Sequence, residues 1–204
     1  MSNLTGWDAL QDDNNGAKNS FTKFNAGEIT QVRCLVTEPT VRWSHFIPSA
    51  KRSVTCLGKG CPICDARELA KAEGVDAKFT TSKKFAIVVY NYKTKQVEIL
   101  EQGKAFFEQL YSFHTEIGDI GTYDIKVKRI GEKTNTTYTL IPCAPTEFKV
   151  VDEEGEKIEF DLPDLSKQFA PPTKEQMLAL MGGASPNDVF SNNKKDDADE
   201  EFEV

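Results

Sequence analysis

The sequence predicts a mainly β, α+β chain: a five-stranded barrel with one helix inserted among its strands, and a small subdomain carrying one histidine and three cysteines. Three observations predict it. Runs of β-branched and aromatic residues alternate with period two between turn residues. One longer segment, residues 103–117, instead spaces Phe106, Leu110, Phe113 and Ile117 as the apolar stripe of a helix. Finally, His45, Cys56, Cys61 and Cys64 fall within twenty residues.

Taken in order, residues 1–24 are polar and lack periodicity, the pattern of a flexible arm. Residues 29–37 set Val32, Cys34 and Val36 against Gln31 and Arg33, a half-buried strand that Glu38-Pro39 ends. Residues 41–46 read as a second strand, with the cysteines in a loop beyond it. Residues 65–73 form a short helix with Ala66, Leu69 and Ala70 on its apolar side and Gly74 at its end. Residues 83–92 are the clearest strand. Phe85, Ile87 and Val89 lie on its core parity; Lys84, Ala86, Val88, Tyr90 and Tyr92 lie on the other, which reads either as a platform or as ordinary sheet residues. A turn at Lys93-Thr94-Lys95 leads to a partner strand at 97–100, and the helix of 103–117 follows. Residues 123–130 and 136–142 complete a hairpin made basic by Lys126, Lys128, Arg129 and Lys133. Five strands with one inserted helix are the composition of an oligonucleotide-binding (OB) barrel, assigned to residues 25–165 with the metal subdomain at about 43–75. Within its last part, after Pro145, residues 148–151 and 157–160 flank Asp152-Glu153-Glu154-Gly155 as an acidic hairpin. Pro163, Pro171 and Pro172 mark a linker, and Thr173 with Gln176 has capping-box spacing for a short helix ending at Gly182-Gly183. Residues 166–187 are thus read as linker and short helix, and 188–204 as a disordered acidic tail.

The histidine and cysteines carry the sharpest chemistry. Cys61 and Cys64 form a Cys-x-x-Cys pair, Gly58 and Gly60 let the backbone bring Cys56 round to them, and His45 supplies a fourth ligand. Four protein ligands leave no open position, so the expected occupant is one structural Zn²⁺. A redox dithiol and a chance cluster of structural cysteines are the competing readings. Five cysteines is an odd number, which fits three metal thiolates with Cys34 and Cys143 as small buried hydrophobes better than a disulfide framework. No apolar run has the length of a membrane span and the N-terminus lacks a secretory pattern, so the expectation is a soluble, cytoplasmic protein.

The net charge of −7 is unevenly spread. Residues 21–150 hold 19 Lys/Arg and 14 Asp/Glu, a net of +5, whereas 1–20 carry −2 and 151–204 carry −10. Two stretches contain no carboxylate: Arg42, Lys51, Arg52 and Lys59 lie between Glu38 and Asp65, and Lys78, Lys83, Lys84, Lys93 and Lys95 between Asp76 and Glu98. Trp43, Phe46, Phe79, Tyr90 and Tyr92 are interleaved with them. Cations along a phosphate backbone, with aromatics on which bases stack, are what sequence-tolerant single-strand binding requires. The candidate contacts are therefore Arg42, Trp43, Phe46, Lys51, Arg52, Lys59, Lys83, Lys84, Tyr90, Tyr92, Lys93, Lys95, Lys126 and Lys128. The tail, with Asp196, Asp197, Asp199, Glu200, Glu201, Phe202 and Glu203, is an acidic tip with an embedded aromatic, suited to occupy a basic groove or dock on another protein.

His45, Cys56, Cys61 and Cys64 in this order, inside a basic aromatic β domain with an acidic C-terminal tail, resemble the zinc-containing single-stranded DNA-binding proteins of T-even-type bacteriophages. The resemblance covers roughly residues 25–145 and 188–204. It implies an OB fold with a zinc subdomain, a place in replication, recombination and repair of phage DNA in a bacterial host cell, and a tail that recruits partner proteins. No small-molecule substrate and no membrane partner are expected. Two other classes are weighed beside it. An enzyme would need paired carboxylates, a Ser/His arrangement or a phosphate-cradling glycine loop, and the sequence has none; the chain is expected not to be one. A zinc-ribbon adaptor binding proteins of a replication or transcription complex through its basic face is the remaining alternative.

Overall fold

Wherever period-two alternation is strong, the chain forms strand. The computed structural model describes residues 20–132, 135–151 and 155–191. It is a mixed α+β structure with eight strands and few helices. The strands are β1 (Ser20–Phe21), β2 (Ile29–Cys34), β3 (Thr40–Ile47), β4 (Arg52–Thr55), β5 (Thr80–Asn91), β6 (Gln96–Gln102), β7 (Tyr123–Ile130) and β8 (Thr137–Pro145). The helices are α1 (Pro62–Glu73), α2 (Lys104–Glu116), α3 (Leu165–Gln168), α4 (Lys174–Met181) and α5 (Pro186–Ser191), with a 3-10 turn at Ile120–Thr122. The expected flexible arm, apart from residues 20–24, lies outside the described residues, as do Lys133 and positions 192–204 of the acidic tail.

The chain divides into two units, one of residues up to Thr40 with Phe85–Gln168, the other of Val41–Lys84 with the chain from Phe169 onward. In the first, strands are ordered β1-β6-β5-β2-β7-β8, and among the described residues β1 and β8 do not pair, so the sheet stays open where a closed barrel would seal it. The pairings are antiparallel except for β1, which runs parallel to β6. Register follows from the pleat: Arg33 sits opposite Tyr90 on one side and Asp124 on the other, and Gln31 sits opposite Lys126. Because side chains alternate across a strand, Val32, Cys34, Ile87, Val89, Ile125 and Val127 point to one face. There they form the core with Phe106, Phe107 and Leu110 of α2. Ile117, expected in that stripe, is exposed, because it caps α2 and lies past its last helical turn.

In the second unit, β3 and β4 form a hairpin in which His45 pairs with Val54. The four-residue β4 is too short for its alternation to be read from sequence. A small core of Ile47, Val54, Cys61, Ile63, Phe79, Met177 and Leu180 lies beneath. Residues 166–187, expected as linker and short helix, contain that helix: Thr173 and Gln176 form the capping box that starts α4, which is capped at Gly182, and α4 buries Met177 and Leu180 completely in this core. The unit that carries His45 and the three cysteines spans Val41–Lys84 and includes α4 and α5, beyond the expected 43–75. No helix among the described residues is long and apolar enough to cross a membrane.

Candidate metal centre and nucleic-acid interface

One hairpin and one helix bring the four ligands together. β3 supplies His45; Cys56 follows β4, its N–H donating to the carbonyl of Trp43 at 2.9 Å. Gly58 and Gly60 stand at φ of 77° and 75°, a left-handed conformation that glycine adopts without steric cost, and turn the chain back. The N–H of Gly58 then donates to Cys56 Sγ at 3.3 Å. The sequence placed all three cysteines in a loop; instead Cys61 is the N-cap of α1, Pro62 opens the helix and Cys64 lies in its first turn. Pro62 suits that position because the N–H it lacks has no helical partner there. The positive end of the helix dipole favours thiolates at both cysteines.

The ligand atoms all lie within 4.8 Å of one another. His45 Nε2 is 3.5 Å from Cys61 Sγ and 3.5 Å from Cys64 Sγ, and Cys56 Sγ is 3.6 Å from Cys64 Sγ. Metal bonds of about 2.0–2.3 Å in a tetrahedron separate ligands by roughly 3.5 Å for N···S and about 3.8 Å for S···S, so this group can hold one metal ion. His45 Nδ1 lies 2.9 Å from Thr81 Oγ1, and Arg67 donates to the same oxygen. With Nδ1–H donating to that oxygen, Nε2 presents its lone pair to the sulfurs, the tautomer a metal ligand needs. Burial, and then the Arg67 cation, holds the His45 pKa below its ordinary value, keeping the ring neutral. Burial opposes the Cys61 thiolate, but the amides of Cys64, Leu57 and Ile63 and a hydrogen bond from Cys56 bring its pKa below the usual thiol value. Cys64 is pushed up to about 12 by burial, its hydrogen bond with Cys56 and the neighbouring thiolates. Three thiolates this close repel one another unless a cation sits between them.

The same unit holds eight candidate contacts. Trp43 and Phe46 are 54% and 42% exposed; Lys51, Arg52, Lys59 and Lys83 are exposed, and Arg42 and Lys84 half-buried. The Arg42 guanidinium lies 4.4 Å from the Phe169 ring centre and that of Arg52 lies 4.8 Å from Phe190. These two phenylalanines were not singled out by sequence, because nothing local marks a contact across more than a hundred positions. Lys51 and Lys95, each in a turn, adopt φ of 47° and 56°. A left-handed lysine costs about 1–2 kcal/mol, a cost asparagine reduces. Lys95→Asn should therefore raise stability in urea by up to about 1 kcal/mol while weakening polyanion binding; unchanged stability would show that the turn carries no strain.

In the first unit, register gathers Tyr90, Tyr92, Lys126 and Lys128 on the sheet face opposite the core, beside Gln31, Arg33 and Asp124. Lys126 and Lys128 are exposed, as are Ile29 and Ile141. Tyr92 is 36% exposed and donates to Asp124 Oδ1 at 3.0 Å; its pKa is pushed up to about 12 by burial and this hydrogen bond, so the phenol stays a donor. Lys95 is exposed, and Lys93 is paired with Glu28. Tyr90 differs from the expected open platform. It is 4% exposed, with Phe148 and Phe160 ring centres at 5.5 and 5.3 Å.

Sequence reading passed over Arg33 and Asp124. They form a buried ion pair in which Arg33 also donates to the carbonyls of Gly121 and Thr146, and Gln31 donates to Asp124 at 2.7 Å. A charged residue on the outward parity of a strand looks solvated until its partner strand is known. No family model, no curated protein and no solved structure matches the chain.

Proposed function

We propose that this chain is a single-stranded DNA-binding protein that coats single strands during DNA replication, recombination and repair, and that its His45, Cys56, Cys61 and Cys64 group holds a structural Zn²⁺. The observation that carries the reading is the register-built face opposite the core, on which the partly exposed Tyr92 ring stands beside Lys126 and Lys128, with Tyr90 next to it beneath the Phe148 and Phe160 rings. Tyrosine rings offer stacking surfaces to any base and lysines pair with phosphates, without a recognition helix that would read a duplex. The strand pairing supports an OB reading: β2 lies between β5 and β7, β5 is followed by β6, β7 by β8, and α2 connects β6 to β7, as in a partly open five-stranded Greek-key barrel. In that fold the second and third strands bind oligonucleotides, and here these are β5, which bears Tyr90 and is followed directly by Tyr92, and β6.

Zinc is the metal that fits three thiolates and one imidazole in a closed tetrahedron. With no vacant ligand position its role is to hold the fold, and the protein acts as a binder and not an enzyme. The acidic tail, with Phe202 embedded in it, is assigned to recruiting partner proteins in the cytoplasm where replication takes place.

Replacing Lys126 and Lys128 together by Gln tests the face directly. Each phosphate contact to a single strand contributes about 0.7 to the slope of log affinity against log salt, so losing two should flatten that slope by roughly 1.4. Fluorescence titration of an oligothymidine across a salt series measures it. An unchanged slope removes this face from the interface.

A further inference from the structure

On that reading of the face, we propose that residues 146–151 and 155–160 form a displaceable cover on it, with the Phe148 and Phe160 rings holding the places against Tyr90 that nucleic-acid bases take when a single strand binds. Tyr90 meets three rings: Tyr92 at 5.2 Å edge-on, Phe148 at 5.5 Å and Phe160 at 5.3 Å. Those separations are the ones aromatic pairs favour, and a base could replace either phenylalanine without rearranging the sheet. Arg33 adds a cation 5.6 Å from the Phe148 ring centre, a position from which it can face a base equally well.

The cover is fixed at its ends and loosely joined between them. At one end the Thr146 N–H donates to the Thr122 carbonyl at 2.9 Å, and Arg33 donates to the Thr146 carbonyl and to Thr146 Oγ1. At the other, Leu165 is buried and Asp164 accepts from the N–H groups of Ser166 and Lys167. Between these anchors the two arms join through the Val151–Lys157 bridge and the bond from Ile158 N–H to the Val150 carbonyl. Val151, Ile158 and Glu159 are exposed, while the Phe148 and Phe160 rings are half-buried against Tyr90. A segment so held opens at low cost.

The arms also match the ligand in charge. Their described residues with Asp161 carry Glu147, Glu156, Glu159 and Asp161 against Lys149 and Lys157, so carboxylates accompany rings much as phosphates accompany bases. The cover is separate from the acidic tail: it belongs to the sheet unit and lies directly on Tyr90.

The test uses the full chain and oligothymidine. The double variant Phe148→Ala/Phe160→Ala, checked by circular dichroism for an intact sheet, should bind about tenfold more tightly at low salt, the equivalent of one stacked base no longer opposed. Amide hydrogen exchange within 147–151 and 155–160 of the unmodified protein should speed up on adding the oligonucleotide. Should the double variant lose its fold, Glu159→Gln/Asp161→Asn changes only exposed positions and should also tighten binding. Weaker binding by these variants, or slower exchange in the arms with DNA, would make the rings part of the binding surface and overturn the cover. Binding by the unmodified protein that no variant strengthens also overturns it. If neither unmodified protein nor variants bind, the single-strand reading itself falls.

Discussion

Chelating the metal is expected to unfold the unit built by β3, β4, α1, α4 and α5 while leaving the sheet unit folded. Apparent binding energies of structural zinc are about 10–16 kcal/mol, as large as the whole stability of an ordinary domain of about 5–15 kcal/mol. Here the dependence is sharpened by the size of the core: Cys61 is both a ligand and a core residue, and its Sγ lies 3.5 Å from Met177 Sδ. On the proposed zinc reading, losing the ion leaves neighbouring thiols buried and removes the cross-link between hairpin and helix. The readouts are the melting profile and the exchange of α4 amides, with the prediction that α4 loses protection together with α1. Cys61→Ser should reproduce the effect without chelator and abolish the stoichiometric metal. A melting profile indifferent to chelator would return the four residues to ordinary packing.

Asp124→Ala is expected to destabilise the sheet unit by about 3–5 kcal/mol, the cost of leaving a buried charge without its partner. Arg33 is 1% exposed, and its remaining acceptors are two carbonyls and the Thr146 hydroxyl, none of them charged. Tyr92 and Gln31 lose their acceptor at the same time. Urea denaturation followed by circular dichroism gives the magnitude. The double change Arg33→Met/Asp124→Leu should recover much of it, since removing both charges leaves none buried. A loss below about 1 kcal/mol in the single variant would mean that water reaches the pair.

The parts of this architecture visible in the sequence are those set by local pattern. The strand around Ile87 and Val89, the helix around Phe106 and Leu110, and the turn glycines Gly58, Gly60 and Gly74 each announce themselves within a few residues. The group of His45, Cys56, Cys61 and Cys64 that can hold a metal ion was visible for the same reason, since ligand spacing is a local property. What escaped was set by distant pairing. Met177 and Leu180 read as one face of a short polar-flanked helix, and only the metal unit's need for a lid over Ile47 and Ile63 makes them core. Tyr90 has outward parity, as the alternation says, but its burial depends on Phe148 and Phe160, which meet it from across the sheet unit. Closure of the barrel was inferred from strand number, which does not fix whether the last pair forms; among the described residues β1, not β8, lies beside β6.

The most direct measurement is a titration of this chain, prepared with Zn²⁺, with oligothymidine and with a duplex of equal length across a salt series. Tighter binding to the single strand is expected, with affinity falling steeply as salt rises. Equal affinity for both forms, or none for either at low salt, would contradict it.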